Sequence, residues 1–394
     1  MRFALLGADA ESQAVADAAV AAGHPVVWPA PSTLDPNVAW EDLFDSDAAD
    51  AIIVGAGGAS ADLRARQVQE LAKQGRPLLV GHPLLPSVIS YFEIDMARTE
   101  SGAVVRHFNQ LLESLRFVDQ SVFSQAAASK LGAVEQITAT RALGDRSRDA
   151  VLWHFARDVE ALAHLAGRFD RIGAHAAMGD SDAAYASLSV QLSGPRQIPV
   201  RWSVEPLGHG AALTVTMIFE HGRAAFIFDA SGAITDFSEQ GILDHSEIRA
   251  ASSPALAHSA VTQFVDAVET ESSDASTWPA ALDAMELADT IEISLRRGRM
   301  IDVHHRELTE TLAFKGMMSA VGCGLLVVLV PLMLVVGWIA GVLGIPMSHY
   351  WPHLLLVFLA AFLALQFVPK LMSPRAGPTA GGVAGAVPPA DSAD

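Results

Sequence analysis

The sequence predicts an α/β protein of two domains followed by a helical hairpin that spans a membrane. Three observations predict this fold class. The chain opens with an apolar strand at residues 3–6, a glycine, and a helix at residues 9–22. Strands and helices alternate up to residue 108, and strand-like segments then follow one another. Finally, residues 317–343 form an uncharged apolar run that is long enough to cross the ~30 Å hydrocarbon core of a bilayer.

The composition excludes several classes of partner and site. The 394 residues suffice for two domains of ordinary size. The net charge of −18 reflects 26 Lys and Arg against 44 Asp and Glu, so the chain would repel the phosphates of nucleic acid. Cys323 is the single cysteine, which rules out an intrachain disulfide and a cysteine-rich metal site. Arg2 precedes a short strand and then acidic residues, so we expect no signal peptide.

The first domain, residues 1–112, is predicted to contain a parallel sheet. Strands that alternate with helices indicate βαβ units, whose helices cover both faces of the sheet. Gly75 and Gly102 follow two of the helices, as is typical of C-terminal caps. The predicted strands are residues 3–6, 25–28, 51–55, 77–80 and 103–108, and the predicted helices are residues 9–22, 40–44, 61–74 and 87–101.

The second domain, residues 113–303, is predicted to combine helices with a mostly antiparallel sheet. Its strand-like segments are joined by turns such as His221-Gly222, which is typical of successive hairpins. The predicted strands are residues 136–141, 185–192, 199–205, 212–220 and 224–229, and the predicted helices are residues 117–129, 149–165, 254–268 and 278–297.

The C-terminal part is predicted to anchor the protein in a membrane. Residues 317–369 contain two apolar stretches with a short connection, and residues 304–316 form the linker before them. Basic residues flank the hairpin but are absent between its stretches, so the positive-inside rule places both ends and the soluble domains in the cytoplasm. A buried helical pair in a soluble core is the alternative. Residues 376–394 are predicted to be a disordered tail. The flanking basic residues are Arg306, Lys315, Lys370 and Arg375.

The loop between the first strand and the first helix bears on cofactor binding. A dinucleotide-binding, Rossmann-like domain carries G-x-G-x-x-G at this turn. Here the three positions hold Gly7, Asp9 and Ser12. A carboxylate at Asp9 would cap the helix and repel a diphosphate, which indicates either a domain that no longer binds the cofactor or phosphates shifted along the loop. Gly55 and Gly57 end another strand and either approach a ligand closely or serve as turn residues.

The closing helix resembles a known family. Residues 281–289 read A-L-D-A-M-E-L-A-D, residues 294–299 read S-L-R-R-G-R, and residues 264–268 read F-V-D-A-V. Together with the strands at 51–54 and 75–80, these segments resemble the glucose–fructose oxidoreductase/inositol dehydrogenase (Gfo/Idh/MocA) family over about residues 3–303. The resemblance implies NAD or NADP as cofactor and a sugar-like or cyclitol substrate. It also implies an open sheet in the second domain, through which we expect a homo-oligomer. The membrane hairpin is not part of the family pattern.

The resemblance also places residues of the nucleotide domain. His82 stands where the family's E-K-P loop has lysine, while Pro83 is retained. His82 is either a proton donor, since an unperturbed histidine has a pKa of ~6.5, or a loop residue without a catalytic partner. Asn109 matches an asparagine that the family often has there. With His107, it ends a strand in the crevice where α/β proteins bind ligands.

The family's D-x-G-x-H-D segment falls on the second helix of the second domain. Without gaps, Trp153 matches its first aspartate, Arg157 its histidine and Asp158 its last aspartate. Arg157 cannot accept a proton near neutral pH, but it can bind a carboxylate. His154 precedes Asp158 by one helical turn, where the carboxylate would fix the tautomer of the imidazole. The alternative is a surface pair without a catalytic role.

Two functions therefore remain open at this point, because a fold does not fix a function. The first is an NAD(P)-dependent oxidoreductase for a sugar-like or cyclitol substrate, and the second is a pseudoenzyme that binds or scaffolds at the membrane. A metal site is not expected, since the adjacent His304 and His305 point apart. The candidate catalytic residues are His82, His154, Arg157 and Asp158, and the candidate cofactor-binding residues are Gly7, Asp9, Ser12, Gly55, Gly57, Pro83 and Asn109.

Overall fold

The structure is a computed structural model that describes most of the first 303 residues. The described residues are 1–7, 9–28, 40–56, 61–122, 131–177, 185–208, 212–240, 253–270 and 277–303, with four single residues at 335, 338, 339 and 342. Met1–His305 form one compact unit, and Arg306–Asp394 belong to a second. The domain boundary expected at residue 112 lies inside a helix of the first unit.

Within the described residues, the N-terminal sheet has five parallel strands in the order β2-β1-β3-β4-β5. Strand β1 lies between two neighbours and pairs Phe3 with both Val26 and Ala51. The central strands are apolar and buried because helices cover both faces of a parallel sheet. The prediction of a parallel N-terminal sheet is thus confirmed. The strands are β1 (Phe3–Leu6), β2 (Val26–Trp28), β3 (Ala51–Val54), β4 (Leu78–Gly81) and β5 (Val105–Phe108).

The described α-helices surround this sheet and connect it to the second one. They are α1 (Ala10–Ala21), α2 (Ala61–Lys73), α3 (Val88–Ser101), α4 (Gln110–Val122), α5 (Arg148–Ala166), α6 (Ser253–Glu269) and α7 (Trp278–Arg297), and Trp40–Phe44 form a 3₁₀ helix. On one sheet face, Phe3 and Leu5 pack with α1 and with Phe264 of α6. Helix α6 follows the second sheet in sequence, so the chain returns to complete the first core.

Within the described residues, the second sheet has eight strands in the order β12-β11-β10-β6-β9-β8-β7-β13. All neighbours are antiparallel except β6 and β9, so the sheet is mixed and mostly antiparallel. Helix α5 packs against its inner face, where Phe155 meets Trp202 with ring centroids 5.1 Å apart. The strands are β6 (Val134–Leu143), β7 (Arg171–His175), β8 (Ser189–Ser193), β9 (Val200–Pro206), β10 (Leu213–Phe219), β11 (Gly222–Phe228), β12 (Ile234–Gln240) and β13 (Ile301–Asp302).

Several predicted boundaries in the second half were wrong. Helix α4 begins at Gln110, not at residue 117, because the side chain of Asn109 accepts the backbone N–H groups of Leu111 and Leu112 and so caps the helix. The strand predicted at 185–192 is β8, which begins only at Ser189. Strands β7 and β12 were not predicted.

The predicted membrane hairpin lies almost entirely outside the described residues. Only Val335, Trp338, Ile339 and Val342 of residues 317–369 are described, and they are helical and exposed. In the part of the chain that the structure describes, no helix combines enough length with enough apolar character to cross a bilayer. The linker at 304–316 and the tail at 376–394 also lie outside the described residues.

Candidate functional site

The candidate site is the crevice at the carboxyl ends of the parallel strands, where open α/β sheets bind ligands. Strand β1 ends there at Gly7 and β3 ends at Gly55. The loop after β4 contributes His82 and Pro83, and helix α5 of the second domain forms the facing wall. Of the predicted site residues, Gly57 lies outside the described residues.

Asp9 caps helix α1 with its own carboxylate. Its Oδ1 atom accepts the backbone N–H groups of Glu11 and Ser12 at 3.1 and 3.0 Å. The Ser12 hydroxyl donates to Asp9 Oδ2 at 2.9 Å. Two of the free N–H groups at this helix start are therefore already satisfied by an anionic group of the chain itself.

The Asp9 carboxylate also packs against Gly55. A Cβ atom at position 55 would lie 2.1 Å from Asp9 Oδ2, so only glycine leaves room for this carboxylate. Gly7 has φ +110°, and a Cβ atom on it would lie 3.2 Å from the Cα atom of Gly55. The sequence expectation that Gly55 allows a close approach is thus realised by an internal side chain.

Arg64 is a buried cation beside this loop, which the sequence reasoning missed. Its Nη2 atom would lie 3.5 Å from a Cβ atom placed on Gly7, and its Nη1 atom donates to Gln67 at 2.9 Å. Burial lowers its pKa to about 10, while the charge of Asp9 raises it, so the guanidinium stays protonated at neutral pH. Asp9 therefore has a positive charge nearby that belongs to the protein.

These contacts do not fit the diphosphate of a nicotinamide dinucleotide at the start of α1. A phosphate binds a helix start through free N–H groups and the positive end of the helix dipole. Here Asp9 uses two of those N–H groups and adds a negative charge in the same place. Of the two readings left open by the sequence, this geometry favours a domain that no longer binds the cofactor.

Arg157 closes the crevice by an ion pair with Glu11. The guanidinium lies in α5, and its Nη2 atom contacts both the Glu11 carboxylate in the first turn of α1 and the carbonyl oxygen of Ser231. The Nε atom lies 3.5 Å from Asn109 Oδ1. Burial raises the pKa of Glu11, and the charge of Arg157 opposes that increase. Glu11 and Ser231 were not among the predicted site residues.

His154 and Asp158 do not form the predicted pair. Asp158 is fully buried and binds Arg141, whose Nε atom donates to Oδ2 at 2.9 Å, and Trp202 Nε1 donates to the same oxygen at 2.8 Å. The Nδ1 atom of His154 is buried and has no hydrogen-bond partner among the described residues, and burial lowers the pKa of this histidine to about 4. The prediction of a tautomer-fixing contact was wrong because Asp158 faces the second sheet, where Arg141 takes the carboxylate.

His82 is buried in a polar network and does not face the crevice as a free acid or base. Its Nδ1 atom lies 3.0 Å from the hydroxyl of Tyr91, which itself accepts the N–H of Leu84 at 2.7 Å. Its Nε2 atom faces the carbonyl of Ala156 at 3.5 Å and Glu160 at 3.8 Å. Burial lowers its pKa to about 4, although Glu160 raises it, so the imidazole is neutral near pH 7.

Glu160 is the centre of this network and was missed from the sequence. It contacts His107 Nε2 and accepts a hydrogen bond of 2.8 Å from Asn109 Nδ2. His107 Nδ1 in turn lies 2.9 Å from the hydroxyl of Thr277. Burial would raise the pKa of Glu160, but His107 and the other contacts outweigh it and hold the pKa at about 2. The signal was its position, one helical turn after Arg157.

A separate cavity of about 440 Å³ lies between α4, α5 and α7, with His107 and Glu160 among its lining residues. Its walls are mostly apolar, and both arginines that line it are paired: Arg116 with Glu113 at 2.7 Å and Arg168 with Asp283 at 2.9 Å. It offers a ligand little charge recognition. In the described part of the chain, no group of three His, Cys, Asp or Glu residues could hold a metal ion.

The arrangement can therefore bind but is poorly equipped for proton transfer. Arg157 is cationic at neutral pH, and His82 and His154 titrate near pH 4. Pro83 accepts a hydrogen bond of 3.2 Å from the indole of Trp153 and so ties the β4 loop to α5. Asn109 supports α5 by donating to the carbonyl of Arg157 at 2.9 Å.

Comparison with known proteins shows which solved structures share this architecture. No protein-family model and no curated protein matches the sequence. Solved structures do: the WlbA dehydrogenase from Bordetella pertussis in complex with NADH and UDP-GlcNAcA has a TM-score of 0.59 and 16% identity, covering 77% of this chain and 98% of that one. Myo-inositol dehydrogenase from Corynebacterium glutamicum ATCC 13032 has a TM-score of 0.57 and 14% sequence identity, and the match covers 77% of this chain and 99% of that one. Levoglucosan dehydrogenase in complex with NADH and levoglucosan has a TM-score of 0.60 and 13% sequence identity, and the match covers 77% of this chain and 99% of that one.

At these identities the likeness concerns architecture, and it extends over nearly the full length of each dehydrogenase. The chain therefore shares the two-sheet architecture of these dehydrogenases.

Proposed function

We propose that this chain is a binding module on a dehydrogenase fold, which holds a sugar-like small molecule in its crevice without hydride transfer. The observation that carries the proposal is the Asp9 carboxylate, which caps α1 through Oδ1 where a diphosphate would bind. This is the pseudoenzyme alternative of the sequence analysis.

The second support comes from the groups that would move protons. Oxidation of an alcohol requires a base near the reacting hydroxyl with a pKa close to the working pH. The family's lysine position is His82, whose pKa is about 4 and whose ring is bound to Tyr91. The family's histidine position is Arg157, which is paired with Glu11. His82 is therefore only a weak base at neutral pH, and a guanidinium does not accept a proton there.

The ligand class follows from the fold and from the facing wall. The structural neighbours named above contain levoglucosan and UDP-GlcNAcA, both of which are sugar derivatives. The half-buried indole of Trp153 lies in α5 beside the crevice. An aromatic face supports a ring, and Arg157 supplies hydrogen-bond donors.

The proposal is tested by titrating the full-length protein in detergent with NADH and NADPH. A ligand at 100 times its dissociation constant stabilises the folded state by ~2.7 kcal/mol, which thermal unfolding detects. We expect no shift at millimolar nucleotide. A saturable shift with either nucleotide, together with oxidation of NADH or NADPH in the presence of a sugar-derived ketone, would overturn the proposal.

The variant Asp9→Gly tests the physical reason. Removing the carboxylate frees the N–H groups of Glu11 and Ser12 and removes a negative charge, so we expect nucleotide affinity to rise by tenfold or more, about 1.4 kcal/mol. Asp17→Asn removes the same charge from the exposed side of α1 and serves as the control. Equal affinities for Asp9→Gly and the control would show that Asp9 is not the obstacle.

The second candidate function is an active NAD(P)-dependent oxidoreductase with displaced phosphates. One observation favours it: Gly7 keeps the positive φ and the close contact with Gly55 that a phosphate-binding turn uses. In that case NAD or NADP would bind in a shifted position, and the titration above would give a saturable signal with the unmodified protein.

We further propose that residues 317–369 anchor the chain in a bilayer with both soluble domains on the cytoplasmic side, as the flanking basic residues predict. We also propose that the chain forms a homo-oligomer through the outer face of the second sheet. This face carries small polar side chains such as Thr140 and Thr214, which are cross-strand partners.

A further inference from the structure

The guanidinium of Arg157 has one nitrogen, Nη1, that donates to none of the described residues, although the side chain is only 4% exposed. Its hydrogen bonds to described residues use Nε, toward Asn109, and Nη2, toward Glu11 and Ser231. Because a guanidinium has five N–H donors, Nη1 is the group that remains for an acceptor supplied by a ligand.

The neighbouring side chains of α5 provide the rest of a binding surface. The Arg157 guanidinium carbon lies 5.8 Å from the centre of the Trp153 ring. The Trp153 indole is held in place by its hydrogen bond to Pro83. His154 follows with an Nδ1 atom that is buried and has no hydrogen-bond partner among the described residues. An aromatic ring, a cation and an imidazole whose Nδ1 atom has no hydrogen-bond partner among the described residues thus occur within five residues of one helix.

The partner that Arg157 already has indicates the chemistry of a ligand. Glu11 brings a carboxylate to Nη2 from α1, across the crevice. Glu11 is only partly buried, with 19% of its side chain exposed, so it can leave toward solvent. A carboxylate presented by a ligand would meet the same guanidinium and would gain a second hydrogen bond from Nη1.

We propose that the crevice binds a sugar acid, a pyranose that carries a carboxylate, with the carboxylate on Arg157 in place of Glu11 and the ring against Trp153. This inference rests on the proposed function, because it assigns the ligand class of the same crevice. The guanidinium makes the site specific for the acid over the neutral sugar. When the Glu11 carboxylate moves away from Arg157, only a sugar acid brings another carboxylate to take its place. Trp153 supplies affinity that both sugars share.

The experiment compares D-glucuronate with D-glucose on the full-length protein in detergent, by calorimetry and by quenching of tryptophan fluorescence. We expect glucuronate to bind at least about tenfold more tightly than glucose, because a hydrogen bond to a charged group contributes enough free energy for that difference. Arg157→Gln should remove this preference, and Arg157→Lys should retain part of it because the charge remains without the planar fork. Arg168→Gln, which removes an exposed cation outside the crevice, should leave the preference unchanged.

Glu11→Gln gives an independent test if Arg157→Gln does not fold. It removes the internal competitor, so we expect the affinity for glucuronate to increase several-fold relative to that for glucose. The inference is overturned if both sugars bind the unmodified protein equally, if neither binds, or if Arg157→Gln keeps the preference. The proposed function is judged separately by the nucleotide titration: turnover of NADH would overturn it even if glucuronate bound through Arg157.

Discussion

Single residues decide the chemistry of this crevice, and His82 is the clearest case. The resemblance places His82 where the family's E-K-P loop has lysine, so its side chain would be expected to face the ligand. Instead its ring is fully buried between Tyr91 and Glu160, with a T-shaped contact to Tyr91 at 5.7 Å between centroids. A neutral imidazole fits such a site because an ionised lysine would have to pair with Glu160, which already holds His107 and Asn109.

The burial of His82 predicts a pH dependence of stability. Its folded pKa of about 4 is below the ordinary 6.5, so as pH falls from 6.5 the unfolded chain takes up a proton and the folded chain does not. Stability from this group is complete above pH 6.5 and is lost as the pH falls toward 4, in total on the order of 3 kcal/mol. Denaturant unfolding at several pH values between 7.5 and 4 measures it.

His82→Gln should flatten this loss, while His258→Gln, an exposed substitution in α6, should not. His154 titrates in the same window and should account for what remains. Glu160 acts at lower pH, because its pKa of about 2 is below the ordinary 4.5 and its stabilising effect is lost only below pH 4.5. An unchanged slope in His82→Gln would contradict the assignment.

Among the elements, helix α5 contributes side chains both to the crevice and to the core beneath the second sheet. Trp153 and Arg157 line the crevice, while Phe155 and Asp158 face the second sheet. The resemblance placed the family's D-x-G-x-H-D segment on this helix, where Arg157 is paired with Glu11 and Asp158 with Arg141. The helix positions both sets because residues three and four apart share a face.

Breaking the buried pair on the sheet side should cost much more than breaking a surface pair. Asp158→Ala leaves Arg141 buried without its partner and Trp202 without its acceptor, so we expect a loss of about 3–5 kcal/mol in the free energy of unfolding. Asp302→Asn, which breaks the exposed pair with Arg171, should cost about 1 kcal/mol or less. Denaturant titration of both variants measures the difference.

A double substitution separates burial of charge from packing. Arg141→Met combined with Asp158→Leu replaces the pair by apolar groups and should be more stable than Asp158→Ala alone. If the double variant is the less stable of the two, an unpaired arginine is not the main cause of the destabilisation in Asp158→Ala.

The whole molecule consists of a first unit with the architecture of the similar dehydrogenases and a C-terminal unit, Arg306–Asp394. The first unit, Met1–His305, contains both sheets, and α6 closes the N-terminal core from late in the sequence. The apolar residues 317–369 follow it.

The membrane proposal is tested on the full-length chain. We expect it to sediment with membranes and to resist extraction by alkaline carbonate, since an apolar span of ~20 residues is held by the hydrocarbon core. A reporter fused after Arg375 should show cytoplasmic exposure. Release by carbonate would contradict insertion, and a reporter signal from the opposite side would contradict the hairpin topology.

The sequence by itself determined the elements of the first domain and the cap of its first helix. Its strands are short apolar runs between glycines and helices, and Asp9 stands directly before α1, so local periodicity and capping chemistry suffice. Strands β7 and β12 were not predicted from the sequence. Arg171–His175 contain few apolar residues, and Ile234–Gln240 form a largely polar edge strand. Their pairing partners, rather than their own residues, make them strands.

Only the tertiary structure decided what the site residues do. The pair of Glu11 and Arg157 joins residues 146 positions apart, and His82 lies 74 positions from the Ala156 carbonyl that it faces. A residue's type limits the contacts it can make, but which partner it meets depends on how helices and sheets pack. For that reason the sequence identified Arg157 and His82 as the residues to examine, and the fold determined that one is paired across the crevice and the other is buried beneath it.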